Sequence, residues 1–195
     1  MVRALKGGVF ERAIAVKLST WWSNDTADDW FWRSQASGAR ATVRGKVGKT
    51  TANAAGDISA CCPEADALLR LMSLELKRGY NAISIQDMLD KPGKMAQLEE
   101  FMQQAIKSAY LAGTPFWALV LKRDRRNELV VLNHWPFPHG TQPSSSYITF
   151  DRPMPHGEQN TRMYMILMDD FLCTTVREYY KQLLQETAQS LANLS

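Results

Sequence analysis

Three charged side chains in two short segments have the types and spacing of a metal-dependent hydrolytic site. Asp57 follows a glycine, and Glu75 and Lys77 are separated by a single leucine. In a β-strand, residues two apart point to the same face, so Glu75 and Lys77 project together. If the segment of Asp57 lies beside that strand, two carboxylates and one ammonium group meet. Carboxylates suit Mg²⁺, which can activate water against a phosphodiester, while an ammonium group orients that water or offsets negative charge.

The Glu-X-Lys pattern by itself is typical of an exposed strand edge. Here, however, Glu75 follows the largely apolar residues 68–74. Burying a carboxylate is costly unless a partner or a metal compensates it. This context favours a functional site over a solvated edge.

Composition limits the alternatives. The chain has 195 residues, of which 45% are hydrophobic and 22% are charged, as in an ordinary globular domain with its own core. No apolar run reaches the ~18 residues of a membrane helix, and Glu11, Arg12 and Lys17 interrupt any signal-peptide block. The three cysteines form no metal pattern. We therefore expect a cytoplasmic protein without a membrane partner.

Periodicity and turn residues indicate an α/β protein. Helices are predicted over residues 8–21 and 92–112, and Asp169 or Asp170 can cap a last helix. Residues 136–160 hold five prolines and three consecutive serines, which favours an irregular loop. We therefore divide the chain into a core, residues 1–135, and an extension, residues 136–195, whose strand and helix pack on that core. Strands are predicted from Trp30 and over residues 54–60, 68–77, 115–122, 128–135 and 163–168.

Two basic stretches are candidates for phosphate contact. Residues 31–56 contain no Asp or Glu, and residues 122–126 form a second patch. Such contacts would position DNA without reading its sequence, although either stretch could equally be a solvated loop. The basic residues of the first stretch are Arg33, Arg40, Arg44, Lys46 and Lys49, and those of the second are Lys122, Arg123, Arg125 and Arg126.

Two other ligand types are excluded. Gly48-Lys49-Thr50 is similar to the end of a P-loop, but Val43 stands where that loop needs a glycine, so no nucleotide cofactor is expected. His134 and His139 are interrupted by prolines and lack further zinc ligands.

Asp57 with Glu75-Leu76-Lys77 resembles the PD-(D/E)XK nuclease signature, with Gly56 where a proline often stands. The flanking residues are most similar to archaeal-type Holliday junction resolvases. The resemblance covers residues 6–132, about two thirds of the chain. The matching flanks are Lys6-Gly7, Glu11-Arg12, Arg33-Ser34, Ser37-Gly38, Gly113-Thr114-Pro115 and Lys122.

The resemblance implies a fold and a set of roles. The fold would be a restriction-endonuclease-like core of order αβββαβ with a mixed central β-sheet, followed by the C-terminal β-α extension. Asp57, Glu75 and Glu11 would hold Mg²⁺, for which Mn²⁺ substitutes, and Lys77 would be the catalytic base or orient water. Ser37 would lie in a loop near the scissile phosphate. DNA would also contact Lys6 and the basic residues from Arg33 to Lys49, and the protein would be a homodimer.

The leading functional hypothesis is a Mg²⁺-dependent endonuclease acting on branched DNA, as in recombination. The first alternative is a restriction-type nuclease or one encoded by a phage or mobile element, acting on duplex DNA. The alternative from another class is a DNA-binding or assembly protein that keeps the nuclease fold without turnover.

Overall fold

The computed structural model describes residues 2–34, 56–81, 96–152 and 161–192. Within these ranges the chain is a mixed α/β protein whose first element is a helix, as predicted. The elements in chain order are α1 (Val2–Ser23), β1 (Phe31–Arg33), β2 (Ile58–Ala60), α2 (Pro63–Leu71), β3 (Met72–Arg78), α3 (Ala96–Ala112), β4 (Phe116–Lys122), β5 (Leu129–Leu132), β6 (Ile148–Arg152), β7 (Thr161–Leu167), α4 (Met168–Phe171) and α5 (Thr174–Ala192).

The central sheet has five strands in the order β3-β4-β5-β7-β6. β3 runs parallel to β4, with Glu75 opposite Leu119 and Lys77 opposite Leu121, and the remaining pairs are antiparallel. β1 and β2 form a separate two-stranded antiparallel ribbon. This mixed sheet is compatible with the restriction-endonuclease-like fold.

Helices cover both faces of the sheet, and the two faces of β3 differ accordingly. Leu74 and Leu76 are buried in a cluster that also contains residues of α1, α2 and α5. The opposite face carries α3, whose apolar side packs on Trp117 and Leu119 of β4. Because strand residues alternate, Glu75 and Lys77 lie on the α3 face.

The prediction of a strand over residues 68–77 is wrong in its first part, because Pro63–Leu71 is the helix α2. Pro63 suits the first turn of a helix, Glu64 and Asp66 follow in that turn, and Arg70 lies in the last turn. Leu68, Leu69 and Leu71 are buried because they lie on the inner side of this helix. The predicted order αβββαβ has no helix between the second and third strands, so the presence of α2 there differs from the prediction.

The predicted irregular loop over residues 136–160 contains β6, an outer strand of the sheet paired with β7. The aspartates expected to cap the last helix lie inside the short helix α4, and α5 begins at Thr174. Asp170 is buried, and its Oδ1 accepts hydrogen bonds from the N–H and Oγ of Ser144 at 3.1 and 2.5 Å. This carboxylate therefore ties the proline-rich segment to α4.

A buried polar contact joins the sheet to α5. His134 Nε2 and the Tyr180 hydroxyl share a hydrogen bond of 2.7 Å, and the His134 ring stacks on Phe116 at 3.9 Å. Burial lowers the pKa of His134 to about 3, so this ring is neutral at physiological pH. His134 is therefore a packing residue. No helix in the described ranges is long and apolar enough to cross a membrane.

We predict that Tyr180→Phe lowers the free energy of unfolding by about 1–3 kcal/mol, because it leaves a buried imidazole nitrogen without a partner. Urea denaturation followed by circular dichroism measures this loss. Tyr179→Phe is the matched control, since the hydroxyl of Tyr179 makes no hydrogen bond to the described residues. Equal losses in both variants would mean that the hydrogen bond does not stabilise this contact.

Candidate active site

Asp57 lies against the outer edge of β3. The Asp57 N–H donates to the Leu74 carbonyl oxygen at 2.8 Å, and the Asp57 carbonyl oxygen accepts from the Ser34 N–H at 2.9 Å. Gly56 makes this approach possible, because a Cβ at that position would lie 2.6 Å from the Leu74 oxygen. The φ of Gly56, +102°, is also one that L side chains rarely adopt.

The Asp57 carboxylate reaches the next free backbone group of the same edge. The Leu76 N–H donates to Asp57 Oδ2 at 2.8 Å. Asp57 therefore bonds β3 on both sides of Glu75, at Leu74 through its backbone and at Leu76 through its side chain. Both carboxylates are buried, with Asp57 7% and Glu75 9% exposed.

Glu75 is held through both of its oxygens. Oε1 accepts from Lys77 Nζ at 2.5 Å, and Oε2 accepts from Ser108 Oγ of α3 at 3.3 Å. Lys77 Nζ in turn lies 5.5 Å from the centre of the Phe101 ring, a cation–π distance. Tyr80 contacts the same ring edge-on at 4.6 Å.

Sequence reasoning missed Ser108 and Phe101. They are seven residues apart, which puts them on the same side of α3. Nothing in the sequence pairs that side of the helix with Glu75 and Lys77, because the pairing depends on how α3 crosses the sheet.

The electrostatics of Asp57 reflect the crowding of acids. Burial, followed by the charge of Glu75, raises the pKa of Asp57 to about 7, and the charge of Glu11 acts in the same direction. The hydrogen bond from Leu76 and the charge of Lys77 oppose this rise in pKa. A cation between the carboxylates would relieve the repulsion.

The donor set fits a magnesium ion. Mg²⁺ keeps several waters and is usually bound by one or two carboxylates. Asp57 and Glu75 supply two carboxylates at one place, although the described residues include no group of three or more acidic, histidine or cysteine side chains arranged for a metal. The pair therefore suits an ion that relies on water for its remaining ligands.

Glu11 of α1 lies near the two carboxylates and forms an ion pair with an arginine. Arg33 Nε of β1 lies 3.6 Å from Glu11 Oε2. Gly8 allows this arrangement, since a Cβ there would meet the guanidinium of Arg33 at 2.6 Å. The structure thus brings Glu11 near Asp57 and pairs Arg33 with it.

Most of the predicted DNA-binding residues lie outside the described residues. For Lys6 only the position within α1 is described. The remaining predicted site residues outside the described ranges are Ser37, Arg40, Arg44, Lys46 and Lys49.

The edge strand β3 carries a buried carboxylate and a lysine, and a second buried carboxylate, Asp57, is bonded to its outer edge; this arrangement is typical of nucleases of the PD-(D/E)XK type. The family model described as "Phage putative PDDEXK endonuclease" matches residues 3–182, so the chain belongs to this family and to the PD-(D/E)XK nucleases. The match reaches from α1 into α5 and thus includes most of the C-terminal third. No curated protein and no solved structure matches the chain significantly.

We predict that Asp57→Asn stabilises the metal-free protein at pH 8 by on the order of 2–4 kcal/mol. The folded state binds the Asp57 proton more tightly than the unfolded state, so wild-type stability falls as pH rises from about 4 to about 7. The gain in Asp57→Asn should grow over this range and stay level above it. Denaturation in EDTA at several pH values measures it.

The control is Asp169→Asn, which removes one carboxylate from an exposed position. A stability difference between wild type and Asp57→Asn that is the same at pH 4 and pH 8 would contradict the electrostatic account of the site.

Proposed function

We propose that this protein is a metal-dependent endonuclease that hydrolyses DNA phosphodiester bonds at the Asp57–Glu75–Lys77 site. The observation that carries the proposal is the burial of two carboxylates at one strand edge, Glu75 on β3 and Asp57 bonded to β3, with a lysine bonded to Glu75. Lys77 compensates Glu75 and leaves the second buried carboxylate, Asp57, without a cation of its own, which a bound metal ion would supply. Membership in a family of endonucleases supports the same reaction.

Asp57 and Glu75 would hold the ion, with Glu11 contributing from α1. Mg²⁺ is the expected ion and Mn²⁺ should replace it, since both prefer oxygen ligands. When bound, the ion polarises the phosphodiester and lowers the pKa of a water molecule. The chain itself supplies a rigid edge, because the backbone bonds at Leu74 and Leu76 fix Asp57 relative to Glu75.

Lys77 would act on the attacking water or on the negative charge that develops at phosphorus. The Lys77 side chain is 16% exposed, and its ammonium group is held between Glu75 and the Phe101 ring, so its position is defined before substrate binds. A preorganised positive charge of this kind stabilises a transition state without reorganisation during the reaction.

Branched DNA is the leading substrate. Its support is the similarity of Lys6-Gly7, Glu11-Arg12 and Arg33-Ser34 to archaeal-type junction resolvases, which also suggests a homodimer. A restriction-type or phage nuclease acting on duplex DNA is the alternative, and the family description is compatible with a phage nuclease. With either substrate, the basic residues from Arg40 to Lys49 would contact phosphates of the DNA. The enzyme would act inside a cell.

A cleavage assay separates these readings. The protein is incubated with a four-way junction, a linear duplex and a single strand, each with Mg²⁺ or with EDTA. We expect Mg²⁺-dependent cutting with preference for the junction. Cutting of linear duplex at one short sequence would support the restriction-type reading. Binding without Mg²⁺-dependent cutting would overturn the proposal in favour of a non-catalytic DNA-binding protein.

We predict that Asp57→Asn and Glu75→Gln abolish cleavage while DNA affinity stays close to wild type, because each removes a metal ligand and no phosphate contact. Lys77→Ala should reduce the cleavage rate by at least about 10²-fold and keep Mn²⁺ binding, as measured by isothermal titration calorimetry. Lys107→Ala, an exposed lysine on α3, is the control and should cut normally. A wild-type rate in either carboxylate variant would refute the site.

A further inference from the structure

We propose that the turn between β4 and β5, residues 123–126, is a second phosphate-binding surface that holds the DNA backbone beside the cleavage site. This inference rests on the proposed nuclease function and adds a DNA-contacting element to it. The turn holds Arg123, Asp124, Arg125 and Arg126.

The turn is close to the candidate active site by strand register. Lys77 of β3 lies opposite Leu121 of β4, and the chain enters the turn two residues later. At ~3.3 Å per residue, the turn begins roughly 7 Å beyond Lys77 and extends to roughly 10 Å. Lys77, Tyr80, Arg123 and Asn127 line the same small pocket, so the side of the turn at Arg123 lies next to Lys77. A distance of roughly 10 Å is about three nucleotides of axial rise in duplex DNA.

The turn is also fixed in place. Asn81, just after β3, forms two reciprocal hydrogen bonds with Asp124, one from its amide to Asp124 Oδ2 at 3.1 Å and one from the Asp124 N–H at 2.9 Å. The Gly79 N–H donates to the Lys122 carbonyl oxygen at 2.9 Å. A rigid support lowers the entropy cost of ordering arginines on a ligand.

The charges around the turn leave Arg125 and Arg126 available for an anion. Asp124 is engaged by Asn81, and Glu128 is shared by Lys17 at 3.4 Å and Lys122 at 3.1 Å. Arg125 and Arg126 are exposed, and no ion pair to an acid of the described residues is formed by either. Guanidinium groups match phosphate oxygens in pairs of hydrogen bonds, so the fitting partner is the sugar–phosphate backbone.

The test compares the double variant Arg125→Asn, Arg126→Gln with wild type. Arg125 has a φ of +59°, which asparagine tolerates well, so the turn should keep its shape. The control double variant, Arg70→Gln with Lys107→Gln, removes the same charge. Arg70 lies in the last turn of α2, and Lys107 lies in the second half of α3. These helices lead into the first residues of β3 and β4, at the end of the two strands that is opposite to the turn.

Affinity for duplex and junction DNA is measured in EDTA at several salt concentrations. The turn variant should lose roughly tenfold in affinity at 0.1 M salt, and the slope of log affinity against log salt should flatten by about 2, or ~0.9 per lost phosphate contact. The control should show neither change. At saturating DNA with Mg²⁺, the turn variant should cut at the wild-type rate, because the turn does not touch the reacting atoms.

An unchanged salt slope, a loss matched by the control, or no DNA binding by wild type would each overturn the proposal. A slower cut at saturating DNA with unchanged affinity would also overturn it. Because binding is measured without metal, a wild-type protein that binds but never cuts would refute the nuclease function alone, and the comparison of slopes would still decide the role of the turn.

Discussion

The structure depends on the burial of two like charges at one strand edge. Asp57 and Glu75 are both less than a tenth exposed, and burial with mutual repulsion makes the ionised pair unfavourable. The chain compensates with fixed groups: the Leu76 N–H on Asp57, and Lys77 and Ser108 on Glu75. Each of these comes from β3 or from α3. The sheet and its covering helix are therefore the elements that must stay in place for the site to exist.

The same contacts solve a second problem, which is the exposed edge of β3. An edge strand presents unpaired N–H and C=O groups that invite association with other chains. Here Asp57 bonds the Leu74 carbonyl through its backbone and the Leu76 N–H through its carboxylate. One residue thus completes the ladder on both sides of Glu75. The candidate metal ligand and the protection of the edge are thus provided by the same residue, and the close approach of its backbone to Leu74 requires the preceding glycine.

The candidate site was largely predictable, whereas one helix and one strand were not. Glu75 and Lys77 have the two-residue spacing of a strand, and the strand over Phe116–Lys122 was predicted to within one residue because its apolar run is bounded by Pro115 and a basic turn. Residues 68–74 form one largely apolar run that crosses from α2 into β3, and a short apolar run alone does not distinguish helix from strand. β6 was not predicted, because the prolines on either side of it favoured an irregular loop. Ser108 depends on tertiary packing.

The charge of the site bears on its chemistry. Glu11 is balanced by Arg33, and Glu75 is balanced by Lys77, which leaves Asp57 as the unbalanced carboxylate, with a pKa raised towards neutrality. A group in this state binds either a proton or a cation, and a divalent ion brings one positive charge more than Asp57 can neutralise. A phosphodiester supplies one negative charge and completes the balance. With a divalent ion at the proposed site, that ion and a single backbone phosphate would compensate each other, which agrees with the proposed nucleic-acid substrate.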